Sequence, residues 1–407
     1  MKRESLWLPL YLLEKIMNYN MEQQKIIAAV DAARAQILNV SHQIHDHPEL
    51  GDQEVFASGL LTKTLEDAGF QVENRYVDLP TAFCARKGKG QPRVAFLCEY
   101  DALPEIGHGC GHNVIGSASL AAGIGLGAVI DQMEGEVWVI GTPAEETNGA
   151  KVLMTDKGAF SQVDAALMIH PHDDNYVRTE SLAMDAIQVS YFGHPSHAAA
   201  SPWEGKNALD GLILLFTSLN ALRQQVQPDA RIHGIITYGG AAPNIIPEQA
   251  VGRFYVRART RKYLNLLVEK FKACARGAAL ASDTRVEFEN YELSFDDMLN
   301  NMTLAERVRN YAEALGAKAF RSAPDSFGSV DMGNVSHVVP AVHVLIDIAD
   351  GKKLHAHTRE FCIAAATPYA DEALLRAGKA LALTGYDLLS DGSFLQKAKE
   401  EFKAGMA

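Results

Sequence analysis

Basic charge in excess is what this chain most plainly lacks. Its 38 Lys and Arg residues are outnumbered by 50 Asp and Glu, a formal net charge of −12. Nucleic acids and anionic membranes are held by basic patches, so neither is an expected partner. Cysteine is scarce as well: five in 407 residues, at 84, 98, 110, 274 and 362, with no Cys-x-x-Cys. An odd count at these spacings argues against a disulfide framework and fits a reducing cytoplasm. No apolar run reads as the roughly 18–20 residues of a membrane span. Internal repeats and low-complexity segments are missing. So are His-Glu-x-x-His, a P-loop and Gly-x-Ser-x-Gly, which removes the commonest signatures of zincins, nucleotide binders and serine hydrolases. The start, Met1-Lys-Arg and then Leu6-Trp-Leu-Pro-Leu-Tyr-Leu-Leu13, contains a proline, runs into Glu14-Lys15 and offers no small-residue cleavage site. It therefore does not read as a secretory signal. Met17 or Met21 could be an alternative start.

What is present is the composition of a globular protein, 47% hydrophobic and 22% charged, at a length that predicts two domains. Ile26, Ile27, Val30, Ala33, Ile37 and Val40 recur at helical spacing and predict a helix over 21–46. A turn, His45-Asp-His47-Pro-Glu-Leu-Gly51, leads to a second helix over 53–69. Strands are predicted at 92–100, 136–140 and 165–169, with an Ala- and Gly-rich helix over 113–131. Apolar strands alternating with helices predict an α/β domain whose largely parallel sheet is covered by helices. Gly123-x-Gly125-x-Gly127 lies inside the helical run, so close helix packing is expected there and not a phosphate loop. After residue 181 the order becomes β-α-β-β-α-β, at 185–193, 205–225, 231–239, 247–258, 261–279 and 284–291. This is the ferredoxin-like arrangement of a small α+β domain. The expected domains are thus 1–180 with 293–407, and an inserted 181–292. The first resumes with a strand over 341–348 and a long helix from about 359.

The chemistry gathers where a parallel sheet collects ligands, beyond the strand C-termini. Asp101-Ala-Leu-Pro-Glu-Ile-Gly-His-Gly-Cys110-Gly-His112-Asn113 puts a thiol and an imidazole two residues apart in a Gly-rich turn. Both are ligands for borderline-soft transition metals. Glu145-Glu146 and His170 each follow a later strand. Two metal ions about 3.5–4 Å apart can share a water, lower its pKa and stabilise a tetrahedral oxyanion. Such a site needs a bridging ligand, terminal ligands and a base. Cys110 as thiolate can bridge. His112, Glu146, His170 and one late histidine can be terminal ligands, and Glu145 can be the base. Successive side chains alternate along an extended segment, so one glutamate can bind metal while the other faces the water. Asp101 is suited to hold a ligand imidazole from behind.

These motifs resemble those of the metal-dependent amidohydrolases and peptidases that include aminoacylase, carboxypeptidase G and the indoleacetyl-amino-acid hydrolases. His45-x-His47-Pro-Glu-Leu-Gly51 with Glu54 is similar to the family's N-terminal motif. Asp101-Ala-Leu-Pro with Cys110-Gly-His112-Asn113 resembles the branch that uses Cys-x-His, and within it the aminobenzoyl-glutamate hydrolase group. Thr142-Pro-Ala-Glu145-Glu146 is similar to the catalytic pair. The resemblance implies two divalent ions, Zn²⁺ or Mn²⁺ or else Co²⁺. Cys110 would bridge, Glu146 and His357 would complete one metal, and His112 and His170 the other. His357 is taken over His355 because His357-Thr-x-x-Phe361 matches the late motif. Glu99 stands where other branches carry a ligand histidine. In Gly193-His-Pro-Ser-His197-Ala, His197 matches a histidine that in relatives reaches the partner subunit's active site and polarises the scissile carbonyl. His194 is its neighbour to be ruled out. Gly239-Gly240-x-x-Pro-Asn244-Ile-Ile-Pro247 and Arg257 resemble the segment that holds the substrate carboxylate, a role suited to a guanidinium.

The expectation is an enzyme, a dinuclear metal amidohydrolase acting on an N-acyl amino acid, an aminobenzoyl amino acid or a short dipeptide. A homodimer, or a heteromeric partner, is implied by resemblance alone. Two other readings remain open on the residues: a non-catalytic binding or regulatory protein on the same fold, and a cysteine hydrolase using Cys110.

Overall fold

Apolar strands need strand partners and cover on both faces, and the inner strands of this chain find both. The computed structural model describes residues 19–324 and 328–406. The early apolar run and Met17 lie outside the described residues. In chain order the strands are β1 (Gln71–Asn74), β2 (Phe83–Lys89), β3 (Arg93–Cys98), β4 (Gly135–Gly141), β5 (Ala165–His172), β6 (Ala183–Phe192), β7 (Arg231–Tyr238), β8 (Gln249–Ala258), β9 (Arg285–Asn290) and β10 (Ala341–Asp347). They form two sheets, ordered β1-β2-β4-β3-β5-β10 and β7-β8-β6-β9.

The chain divides into two compact units. One comprises Met1–Glu180, Leu299–Ser326 and Asn334–Ala407; the other comprises Ser181–Met298 with a short later stretch ending at Gly333. The second unit therefore runs past residue 292, where the sequence pattern alone would end it, because Phe295 pairs with Met184 on β6.

In the first unit β3, β4, β5 and β10 are parallel, while β1 and β2 add an antiparallel edge. Phe96 pairs in register with Val139 and Leu167, all three fully buried; burying each such side chain contributes about 1.5–3 kcal/mol. The predicted helix over 21–46 is two helices, Met21–Ala32 and Arg34–Asp46, the first opened by a capping box between Asn20 and Gln23. The helix His112–Gly127 crosses the core and is buried almost throughout. With the turn that follows, His112–Gln132 is long and apolar enough to cross a membrane, contrary to the reading from the sequence, but 89% of its most apolar window is buried inside the protein. Its glycines allow this. A Cβ on Gly123 would stand 2.5 Å from Val139 and one on Gly125 2.8 Å from Val30, which agrees with the close-packing expectation. The long helix expected from 359 is broken into Arg359–Ala364, Pro368–Ser390 and Gly392–Met406. Pro368 sits in the first turn of the middle piece, where its missing N–H costs nothing, and Thr367 caps it.

The second unit is the expected β-α-β-β-α-β fold. Helices Ala208–Leu222 and Arg261–Ala281 lie between its strands in the chain, and every strand pairing is antiparallel. Ile187, Tyr191, Leu212, Leu215, Phe254, Leu264 and Phe271 make its core. β7 is an edge strand, and its Ile235 is 64% exposed, Ile236 44% and Tyr238 43%.

Candidate metal centre

Three parallel strands deliver the side chains. β3 ends at Cys98 and leads into Glu99 and Asp101; β4 ends at Gly141 and leads into Glu145 and Glu146; His170 is on β5. Gly111 precedes the first residue of the helix His112–Gly127 with φ +78°, and a Cβ there would lie 2.9 Å from Pro171. The turn thereby brings Cys110 and His112 over the strand ends. His357 comes from the distant loop before Arg359. It has φ +65°, an uncommon conformation for a non-glycine, and its backbone N–H donates to Gly109 at 2.8 Å.

The arrangement contains three groups whose ligand atoms lie within 4.8 Å of one another: Cys110 with His112 and His170; Cys110 with Glu146 and His357; and His112 with Glu145 and Glu146. Cys110 belongs to two of them. Its Sγ is 3.4 Å from His170 Nε2, and His357 Nε2 is 3.2 Å from Glu146 Oε1. Those separations suit donors sharing one ion at bond lengths of about 2.0–2.3 Å. Asp101 Oδ1 accepts from His112 Nδ1 at 2.8 Å, while its Oδ2 accepts the Glu146 N–H at 2.9 Å. His112 is thereby fixed with Nε2 facing the cluster. Nε2 of His112 and Oε1 of Glu146 are buried and make no hydrogen bond. Orphaned donor atoms of complementary type, aimed at one place, fit a bound cation.

Burial pushes His170 down to about 4, which keeps it in the neutral, ligating form. Burial also raises the Cys110 thiol. A free thiolate nucleophile is therefore disfavoured, whereas coordination deprotonates a thiol outright. Burial likewise opposes the charge on Glu146, but the His357 ring, with Nε2 3.2 Å from Oε1, and the charge of His112 outweigh it, and the carboxyl is held below its usual range.

Where the sequence expected an extended Glu145-Glu146 segment, there is a tight turn. Ala144 has φ +56°, and its carbonyl accepts from the N–H groups of Asn148 and Gly149 at 3.1 and 2.8 Å. Alternation does not apply in a turn, so both carboxylates reach the His112 side. His355 is exposed and contributes only a carbonyl, to the Thr358 hydroxyl at 2.7 Å. It joins no metal-ligand group among the described residues.

Residues without a role in the sequence reading stand behind the cluster. Lys151, fully buried, donates to Glu99 Oε1 at 2.6 Å, and Glu99 Oε2 is 3.4 Å from His112 Nε2. Burial opposes the Glu99 charge, but Lys151 holds the carboxyl below its ordinary value. Glu99 thus remains beside the site as a paired carboxylate. A lysine after Gly149 gives no sign of burial in the sequence; only the pairing explains it.

In the second unit, His197 and Asn244 are brought together. His197 forms a bridge with Ile245, and the Ala198 N–H donates to the Asn244 carbonyl at 3.0 Å. Nδ1 of the exposed His197 accepts from the N–H groups of Ala199 and Ala200 at 3.2 and 3.1 Å. The neutral ring is then protonated at Nε2, an outward donor. His194 instead pairs by its backbone with Lys206. Arg257 lies over the Tyr255 ring at 5.3 Å and donates to Ser329 Oγ at 3.2 Å. No hydrogen bond joins it to the His197–Asn244 pair among the described residues.

A buried donor set with carboxylates at its rim suits hydrolysis of amide bonds with metal assistance, and the enzyme is of that class: a metal-dependent amidohydrolase. The chain belongs to Peptidase family M20/M25/M40, whose profile matches residues 95–379. It is 39% identical over 394 residues to the Xaa-Arg dipeptidase of Mus musculus, covering 92% of this chain and 90% of the relative. It is 33% identical over 320 residues to a subunit of the p-aminobenzoyl-glutamate hydrolase of Escherichia coli, covering 74% of this chain and 66% of the relative. Among solved structures, the Bacillus subtilis YXEP protein, a dinuclear metal binding peptidase, aligns with a TM-score of 0.64 over 87% of this chain and 99% of that one. At 21% identity this likeness shows the fold.

Proposed function

We propose that this amidohydrolase is dinuclear and cleaves the amide bond of short dipeptides beside a free carboxylate. Cleavage of N-acyl or aminobenzoyl amino acids is the neighbouring possibility. The observation that carries the two-ion reading is that Cys110 is the residue common to the set with His112 and His170 and the set with Glu146 and His357, although His112 and Glu146 also meet in a third set with Glu145. Cys110 would be shared, with His112 and His170 on one ion and Glu146 and His357 on the other. Zn²⁺, Mn²⁺ and Co²⁺ all suit thiolate, imidazole and carboxylate donors. When bound, such ions lower the pKa of water and polarise the scissile carbonyl.

The protein's own groups do the rest. Asp101 fixes the His112 tautomer and, through the Glu146 N–H, the turn that carries both glutamates. The Glu145 carboxylate takes the proton of the attacking water and returns it to the leaving amine. His197, supplied by the second copy of a dimer as the family resemblance implies, donates from Nε2 to the developing oxyanion. Arg257 and Asn244 hold the substrate carboxylate.

Among substrates, dipeptides with a cationic C-terminal residue come first. Similarity to a relative named Xaa-Arg dipeptidase supports this, and a net charge of −12 favours the approach of cations. We further infer a homodimer in the cytoplasm. Ile235, Ile236 and Tyr238 on β7, with Ile213 and Leu214 on the helix Ala208–Leu222, give an unpaired, apolar edge suited to a second copy. A metal-supplemented screen of dipeptides and N-acyl amino acids, scored by amine release, tests the substrate reading. Cleavage of dipeptides ending in Lys or Arg is expected. Release only from aminobenzoyl-glutamate, or from no amide, would overturn it.

A further inference from the structure

The N-terminal motif is left without a role by the metal centre, yet it contains a buried carboxylate with two definite partners. Glu54, just before the helix Val55–Asp67, is 0% exposed. Its Oε1 accepts the Ala144 N–H at 2.7 Å and its Oε2 accepts the Thr81 hydroxyl at 2.8 Å. Ala144 is the residue with φ +56° that starts the turn bearing Glu145 and Glu146. Left-handed backbone is disfavoured for an alanine and persists only where its surroundings hold it. The same motif makes room for the turn. A Cβ on Gly51 would stand 2.1 Å from Thr147 Oγ1 and 2.9 Å from Ala144 Cα. Glu49 anchors the segment by accepting the N–H groups of Phe56 and Ala57 at 2.9 and 3.0 Å, and its carbonyl accepts the Ala102 N–H at 2.8 Å.

We propose that Glu54 is a positioning residue: by clamping the Ala144 N–H it holds the strained turn that sets the direction of the Glu145 carboxylate. The turn is thus gripped at two N–H groups, Ala144 by Glu54 and Glu146 by Asp101. The second grip holds the residue assigned to the metal, and the first holds the residue that leads into the base. Losing Glu54 therefore disturbs proton transfer more than metal binding. Burial pushes the Glu54 carboxyl up to about 7, so a neutral side chain with an acceptor oxygen is a fair substitute at that position. The inference rests on the reading of Glu145 as the base.

The experiment compares E54A, E54Q, A144G, E54A with A144G, and E145Q in the metal-loaded full chain. Steady-state kinetics, metal content and the melting temperature of the chelated protein are all measured. E54A is expected to lower kcat roughly 10²-fold, the cost of a misplaced catalytic group, with little change in KM and metal content. E54Q keeps an acceptor for Ala144 and a donor for Thr81, and is expected to restore most of kcat. Glycine adopts positive φ without strain, so A144G should recover part of the rate lost in E54A, and the two changes should not be additive. Equal melting losses in E54A and E54Q with equal kcat, or strict additivity of E54A and A144G, would overturn the proposal. If E54A does not fold, the kcat of E54Q decides: near wild type supports the clamp, and a drop as deep as that of E145Q overturns it. An active E145Q would instead refute the base assignment, which separates the two failures.

Discussion

The two units treat their functional side chains in opposite ways. In the first, Cys110 and His112 are buried and Glu146 half-buried, and each is tied to a neighbour: Cys110 lies 3.4 Å from His170, Asp101 grips both His112 and the Glu146 backbone, and His357 reaches Glu146 across the cluster. In the second, His197 and Asn244 are exposed, and what holds them is backbone: the Ile245 bridge and the N–H groups of Ala199 and Ala200. Chemistry that needs fixed donors is built into a core that cannot relax. The groups proposed to meet substrate are carried on exposed loops beside a sheet. The contrast predicts that damage to the first unit abolishes the reaction, while damage to the second weakens it.

The largest effect should follow chelation: turnover lost entirely and restored by Mn²⁺, Zn²⁺ or Co²⁺, measured as amine release. A rate indifferent to chelators would remove the first unit's role. Next, Glu145→Gln should reduce kcat by about 10²–10⁴-fold, the usual contribution of a positioned base, with metal content unchanged by elemental analysis. His197→Ala should cost roughly 10²–10³-fold in kcat, as the loss of an oxyanion donor does, again with metals retained. Loss of metal in that variant would mean the units are not separable in this way. Arg257→Ala should act on KM, by about 1.5–3 kcal/mol for a charge-assisted hydrogen bond, with Arg257→Lys recovering little because an ammonium cannot form the bidentate pair. Ile235→Lys on the β7 edge should shift dimer to monomer in sedimentation and, by withdrawing the partner copy's His197, lower kcat no further than His197→Ala does. A protein that sediments as a monomer before the change would remove the second copy from the account.

Much of the candidate centre was legible in the sequence because most of its potential donor residues sit at strand ends in short turns. Cys110-Gly-His112 declares itself by donor type and spacing, and Glu145-Glu146 and His170 by following apolar strands. What was hidden depends on backbone signs and long-range pairs. Nothing in Thr142-Pro-Ala-Glu-Glu reveals φ +56° at Ala144, so the pair read as extended. Lys151 looks like a surface residue, and Glu54 and Glu99 carry no visible task, until their partners, which lie 27, 52 or 90 positions away, are known. In the fold, β1 was missed because Gln71, Glu73 and Asn74 are exposed and show no alternation. The break before Pro368 was passed over because the apolar period continues across it.

The central claim is that Cys110 joins two ions in one site. Titration of the chelated protein with Co²⁺, followed by absorption, tests it most directly. The account predicts two ions per chain, with a thiolate-to-cobalt charge-transfer band that Cys110→Ser removes. One ion per chain, or two ions with no thiolate band in the wild-type protein, would contradict it.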